Sequence, residues 1–141
     1  MFREFSSQPI TNLTQLITNN SQLNNMFGFQ KLTVYQEARS LVKDVYLILE
    51  KYPRHENYAL CDQLRRAVIS VPSNIAEGVS RNSIKEKVRF LEIAYGSLME
   101  VLCQLELSLD LGYLTNDEMN TFEGKIETIA KLISGLKKSI S

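Results

Sequence analysis

The chain has 141 residues, 44% of them hydrophobic and 23% charged, with only six Gly and three Pro, which is the profile of one globular domain. Sixteen Lys and Arg balance sixteen Asp and Glu, which excludes a strongly basic nucleic-acid binder and an acidic tail protein. One His and two Cys leave no His-rich metal site and no CxxC redox pair, and no apolar run approaches the ~20 residues that span a bilayer.

Residues 1–26 differ from the rest. Arg3 and Glu4 are the only charges there, and Ile10, Leu13, Leu16 and Ile17 are interleaved with Thr, Asn and Gln. This pattern has no apolar core of an export signal and too little apolar surface to offset ordering entropy. It predicts a flexible polar extension, weakly helical around Leu13–Leu23, ahead of a 27–141 domain in a cytoplasmic protein. Cys61 and Cys103 sit among apolar neighbours and are expected to be reduced and buried.

Four helices follow. Val34, Ala38, Leu41, Val45 and Leu49 repeat at three and four, predicting a helix over 33–52 that Pro53 ends. A second covers 56–79, with Cys61, Leu64, Val68, Val71 and Ile75 on one stripe, a kink expected at Pro72 and a stop at Gly78. The third opens with the capping spacing Ser83-Ile-Lys-Glu86 and stops at Gly112. The fourth opens with Thr115-Asn-Asp-Glu118, and its Met119, Phe122, Ile126, Ile129, Ile133, Leu136 and Ile140 alternate three and four. Short connections make this an all-α, antiparallel up-down-up-down four-helix bundle. The third helix carries Phe90, Ile93, Val101, Leu107 and Leu111 beside its core stripe. That is more than the ~100° apolar arc a bundle helix needs, and it predicts self-association.

The neutral total hides segregation. Residues 62–90 hold six bases and three acids, residues 91–123 seven acids and no base. Arg65, Arg66, Arg81, Lys85, Lys87 and Arg89 are the candidate nucleic-acid contacts, since each neutralised phosphate releases a counterion. A solvated face, or contacts between subunits, explains the same cluster. Gln63, Ser70, Asn74 and Glu77 form a polar row with Arg66 on the second helix, costly to bury unless paired. They read either as a hydrogen-bond network fixing register between helices or subunits, or as a binding surface. Catalytic residues, metal ligands and cofactors are not expected. His55 beside Glu56 is no triad, Ser97 after Gly96 lacks a strand-turn elbow, and Glu92, Glu100 and Glu106 lack a Glu-x-x-His partner.

Gln63-Leu-Arg-Arg-Ala67, Ser70-Val-Pro-Ser-Asn-Ile-Ala-Glu-Gly78 and Phe90-Leu-Glu-Ile-Ala-Tyr-Gly-Ser97 together resemble the four-helix-bundle family of rRNA intervening-sequence proteins. Phe29-Gln-Lys-Leu-Thr-Val-Tyr-Gln-Glu-Ala38, Tyr52-Pro53 and Leu111-Gly-Tyr-Leu114 are also similar, so the likeness spans roughly 27–138. The resemblance implies a homopentameric ring. It also implies kinship to the accessory variability determinant of diversity-generating retroelements, which binds a reverse transcriptase and nucleic acid and is strongly basic where this chain is neutral. The expected function is a non-enzymatic, self-assembling scaffold that binds RNA or a ribonucleoprotein through the basic residues. The alternatives are a protein–protein adaptor without nucleic acid, and a small enzyme using Glu77, Asn74 or His55.

Overall fold

The computed structural model describes residues 27–141, so the predicted extension lies outside the described residues. After a 3-10 turn at Gly28–Lys31, four helices follow: α1 (Thr33–Leu49), α2 (Leu60–Ser80), α3 (Ile84–Asp110) and α4 (Asn116–Ile140). There is no strand among the described residues.

Each helix packs on its neighbour in sequence, most extensively α2 on α3, and α4 closes the bundle against α1, the least extensive of the four contacts. Partners run in opposite order across the α1–α4 and α2–α3 seams, and short connections turn α1 back into α2 and α3 back into α4. Lys51 pairs with Glu118 and Asp44 with Lys125 between α1 and α4, while Gln63 meets Gln104 and Ser70 meets Ser97 between α2 and α3. The order is therefore up-down-up-down. One core runs the length of the bundle, with Leu41, Val45, Leu64, Val68, Leu91, Leu98, Leu105 and Ile129 fully shielded from solvent.

The caps are built by the residues that predicted them. Ser83 accepts from the Glu86 amide, and Thr115 and Glu118 form a reciprocal capping box. The Lys51 ammonium and the Thr115 amide hold the Glu118 carboxyl below its ordinary range. Gly112, at φ +83, closes α3 in a Schellman-type turn in which the Tyr113 amide donates to the Ser108 carbonyl at 2.9 Å.

Three boundaries differ from expectation. α1 ends at Leu49, and residues 50–52 tighten into i→i+3 bonds because Tyr52 precedes Pro53. α2 starts at Leu60, since residues 54–56 form a 3-10 turn instead. It then runs past Gly78 to Ser80: Gly78 is buried against α3 and does not stop the helix. The helix also continues through Pro72, which cannot donate to the Val68 carbonyl. Side-chain donors serve carbonyls around it, Ser73 Oγ to Ile69 at 2.9 Å and Asn74 Nδ2 to Ser70 at 2.8 Å.

Cys61 is buried, and burial pushes its thiol up, but Cys103 is exposed on α3, one step off the buried stripe. Tyr52 is buried at the loop end of the bundle, and its hydroxyl has no partner within hydrogen-bond geometry among the described residues. Burial pushes the phenol up from 10.0 to about 12, against a lowering influence from Ser108. Below pH 10 the phenol is protonated in both the folded and the unfolded chain, so it adds no pH dependence there. Between pH 10 and about 12 the unfolded chain loses its proton while the folded chain keeps it, and stability falls. Tyr52→Phe is expected to shift the pH 7 melting temperature by no more than about 3 °C, because the hydroxyl forms no well-aligned hydrogen bond among the described residues. The same variant should flatten the alkaline decline, as read by thermal melts in that window.

Candidate functional site

The polar row of α2 faces α3, and most of it is satisfied inside the chain. Ser70 Oγ lies 2.8 Å from Ser97 Oγ, and Asn74 Nδ2 donates to Ser70 Oγ at 2.8 Å as well as to its carbonyl. Two turns toward the loop end, Gln104 Nε2 donates to Gln63 Oε1 and to Glu100 Oε2, both at 3.2 Å. Ser108, fully buried, donates to the Gln104 carbonyl at 2.7 Å. Since side chains seven apart recur on one helix face, Ser97 and Gln104 meet α2 in the same way. These bonds fix the relative height of the two helices, which apolar packing alone specifies weakly. Gln104 is only 6% exposed, yet its Oε1 has no partner among the described residues. Glu77 stands apart, in a 2.6 Å ion pair with Arg81.

The six basic candidates separate into two groups. Arg65 and Arg66 lie near the start of α2, and Arg81, Lys85, Lys87 and Arg89 around the turn into α3. At 1.5 Å per residue the fifteen positions from Arg66 to Arg81 span roughly 22 Å. Arg65 Nη2 straps the α1–α2 loop, donating to the Asn57 carbonyl at 2.9 Å and to its Oδ1 at 3.1 Å. Arg66 pairs with Asp62 at 3.4 Å and Arg89 with Glu86 at 3.3 Å. Arg81 and Arg89 both stack over the Phe90 ring, at 4.8 and 5.3 Å. Lys87 Nζ donates to the Val79 carbonyl near the end of α2, at 3.1 Å. Lys85 is exposed and makes no ion pair or side-chain hydrogen bond among the described residues. Exposed pairs of this kind are worth ~0–1 kcal/mol, so an incoming phosphate can displace them.

His55 is exposed in the α1–α2 loop and lies 3.4 Å from Tyr113 Oη, whose proton goes to Glu56 Oε2 at 2.7 Å. That carboxylate holds the Tyr113 phenol above its ordinary value. The cluster ties the loop to the end of α3. It lies at the opposite end of α2 from Glu77, so His55 and Glu77 do not converge. Among the described residues no group of three His, Cys, Asp or Glu is placed to hold a metal ion. No helix there is long and apolar enough to cross a membrane.

The remaining surface feature is apolar. Of the extra hydrophobic residues on α3, Val101 belongs to the core and Phe90 is half-buried beneath its arginines. Leu107 and Leu111 remain 48% and 56% exposed, and Ile93 is exposed with them. Between α1 and α2 runs an open groove of about 1130 Å³ with Val42, Tyr46, Leu47 and Ile69 in its lining.

Fold and surface together define a small all-helical bundle with a hydrogen-bonded α2–α3 seam and uncovered apolar faces. The chain belongs to the 23S rRNA-intervening sequence protein family, whose model matches residues 30–135. It is also similar in fold to the crystal structure of a protein of unknown function from the S23 ribosomal protein family of Bacteroides thetaiotaomicron. The TM-score is 0.68 at 21% identity, covering 75% of this chain and 99% of that one. No curated protein matches the chain.

Proposed function

We propose that the chain is a non-enzymatic, self-assembling helical-bundle scaffold. The observation that carries this reading is the uncovered apolar surface: Ile93, Leu107 and Leu111 on α3, and Tyr46, Leu47 and Ile69 at the α1–α2 groove. Leaving such side chains in water forgoes about 25 cal/mol for every Å² of apolar area, and exposed apolar side chains gathered on one face mark interfaces. A second copy of the chain supplies the cover without a further partner. The family resemblance adds a ring of five. Light scattering tests the reading directly. A mass several times the 16.1 kDa of one chain is expected, and a monomer at micromolar concentration would overturn it.

A second reading concerns what the ring holds. Lys85, without a partner among the described residues, sits beside Arg81, Lys87 and Arg89 at the α2–α3 turn, which is the favoured contact for RNA or a ribonucleoprotein in the cytoplasm. One such turn is a weak site. Several on one ring act together through effective concentration, even though each chain is neutral. RNA affinity should then fall with salt on a log–log slope of several units, and Lys85→Ala should lower that slope. Absence of binding at low salt leaves the protein–protein adaptor.

A further inference from the structure

Self-assembly needs two surfaces that fit each other, and the bundle exposes two of opposite character. Ile93, Glu100 and Leu107 are seven residues apart, close to two helical turns, and Leu111 is one further turn on, so all four form one stripe along α3. The stripe is apolar with an acidic centre, and Asp110 lies beside it. The groove between α1 and α2 is apolar with a basic rim: Arg39, Lys43, Arg54 and Arg65 surround it against the single acid Glu50. The geometry points to a head-to-tail contact in which the α3 stripe of one copy seats in the α1–α2 groove of the next. This inference rests on the self-assembly proposed above and names its interface.

Charge decides between pairings. Stripe against stripe would bring Glu100 toward its own copy, and groove against groove would gather two basic rims, whereas stripe against groove places acid beside base. The pairing is then heterologous, each copy using one surface as donor and the other as acceptor.

Height along the bundle agrees. In a ring whose axis runs along the bundles, no copy is displaced along that axis, so mating surfaces must lie at the same level within one chain. The Gln63–Gln104 and Ser70–Ser97 bonds set that level. They place Leu107 and Leu111 beside the first turns of α2, and Asn57, Cys61, Arg65 and Ile69, from that same half of α2 and the loop before it, line the groove.

Direction agrees as well. Ser97 and Gln104 put the stripe on the α2 side of α3, so stripe and groove occupy adjacent sides of a four-cornered bundle. Each contact therefore turns the next copy through roughly a right angle, so the series closes into a small ring instead of growing into a filament.

Two variants separate donor from acceptor. Leu107→Glu/Leu111→Glu spoils the stripe and leaves the groove, and Tyr46→Glu/Ile69→Glu spoils the groove and leaves the stripe. All four positions are at least 41% exposed, so each chain should keep its helical circular-dichroism signal. Each variant alone is expected to be monomeric by light scattering. An equimolar mixture is expected to give a dimer of twice 16.1 kDa and nothing larger, because only one good stripe and one good groove then remain to meet. Should a glutamate variant fail to fold, the Ser substitutions at the same positions carry the same comparison. If either variant keeps the wild-type mass, or if the mixture stays monomeric, the interface is overturned while self-assembly stands. A monomeric wild-type chain overturns both.

Discussion

Replacing Leu98 with alanine is expected to cost about 3 kcal/mol of stability, within the 2–5 kcal/mol span of buried Leu-to-Ala changes. Leu98 has no solvent exposure and sits midway along α3, the helix that packs on both α2 and α4. Its loss combines the transfer energy of three carbons with a cavity that two rigidly packed neighbours close poorly. For a domain of this size the melting temperature should fall by roughly 10 °C or more, measured at one fixed protein concentration because assembly raises apparent stability. Leu107, nine residues further on in the same helix, provides the contrast. It is 48% exposed, and the same change in a chain kept monomeric should cost less than ~1 kcal/mol.

The second large effect is expected at Gly78. A Cβ there would stand 3.0 Å from the Cβ of Phe90 and 3.2 Å from the Lys87 carbonyl oxygen. Alanine gains ~1 kcal/mol of helix propensity over glycine, which partly offsets the overlap. Valine adds two methyl groups to the same gap and loses some of that propensity, so steric cost dominates. Gly78→Val should destabilise the chain by about 3 kcal/mol, and Gly78→Ala by about 1. Urea denaturation would separate the two variants. Equal stability of Gly78→Val and the parent would show that α2 and α3 can move apart at no cost.

The legible part of this chain was its helices, for reasons that are local. Ser83 and Thr115 lie three residues before a glutamate, and both turned out to cap a helix. Pro53 and Gly112 mark chain direction changes that depend only on backbone geometry. The end of α1 and the start of α2 flank Pro53, where short 3-10 turns compete with the α-helix by small energies. The candidate site was less legible because it depends on register. Gln104 was not singled out, although the seven-residue step from Ser97 was there to be read; its partner Gln63 is 41 residues away and becomes a neighbour only once the bundle forms. The basic residues illustrate the converse. They are close in sequence, but α2 carries them to opposite ends of the molecule, and the acids three or four residues away pair with Arg66, Arg81 and Arg89. Likewise, Cys103 and Leu107 looked alike as apolar helical positions, and only the direction of the α3 core stripe separates them from Val101 and Leu105.

The seam between α1 and α4 joins the first helix of the described residues to the last and is the slightest of the four, held at its surface by Lys51–Glu118 and Asp44–Lys125. The other three extensive helix contacts link consecutive segments, whose ends meet at little loop-closure entropy. During synthesis the first two hairpins can therefore form as soon as their residues leave the ribosome. Until α4 emerges, however, the α1 and α3 edges that it will cover stay open to water. With α1–α3 made and α4 still missing, those apolar edges are exposed to aggregation, and α4, Asn116–Ile140, then covers them.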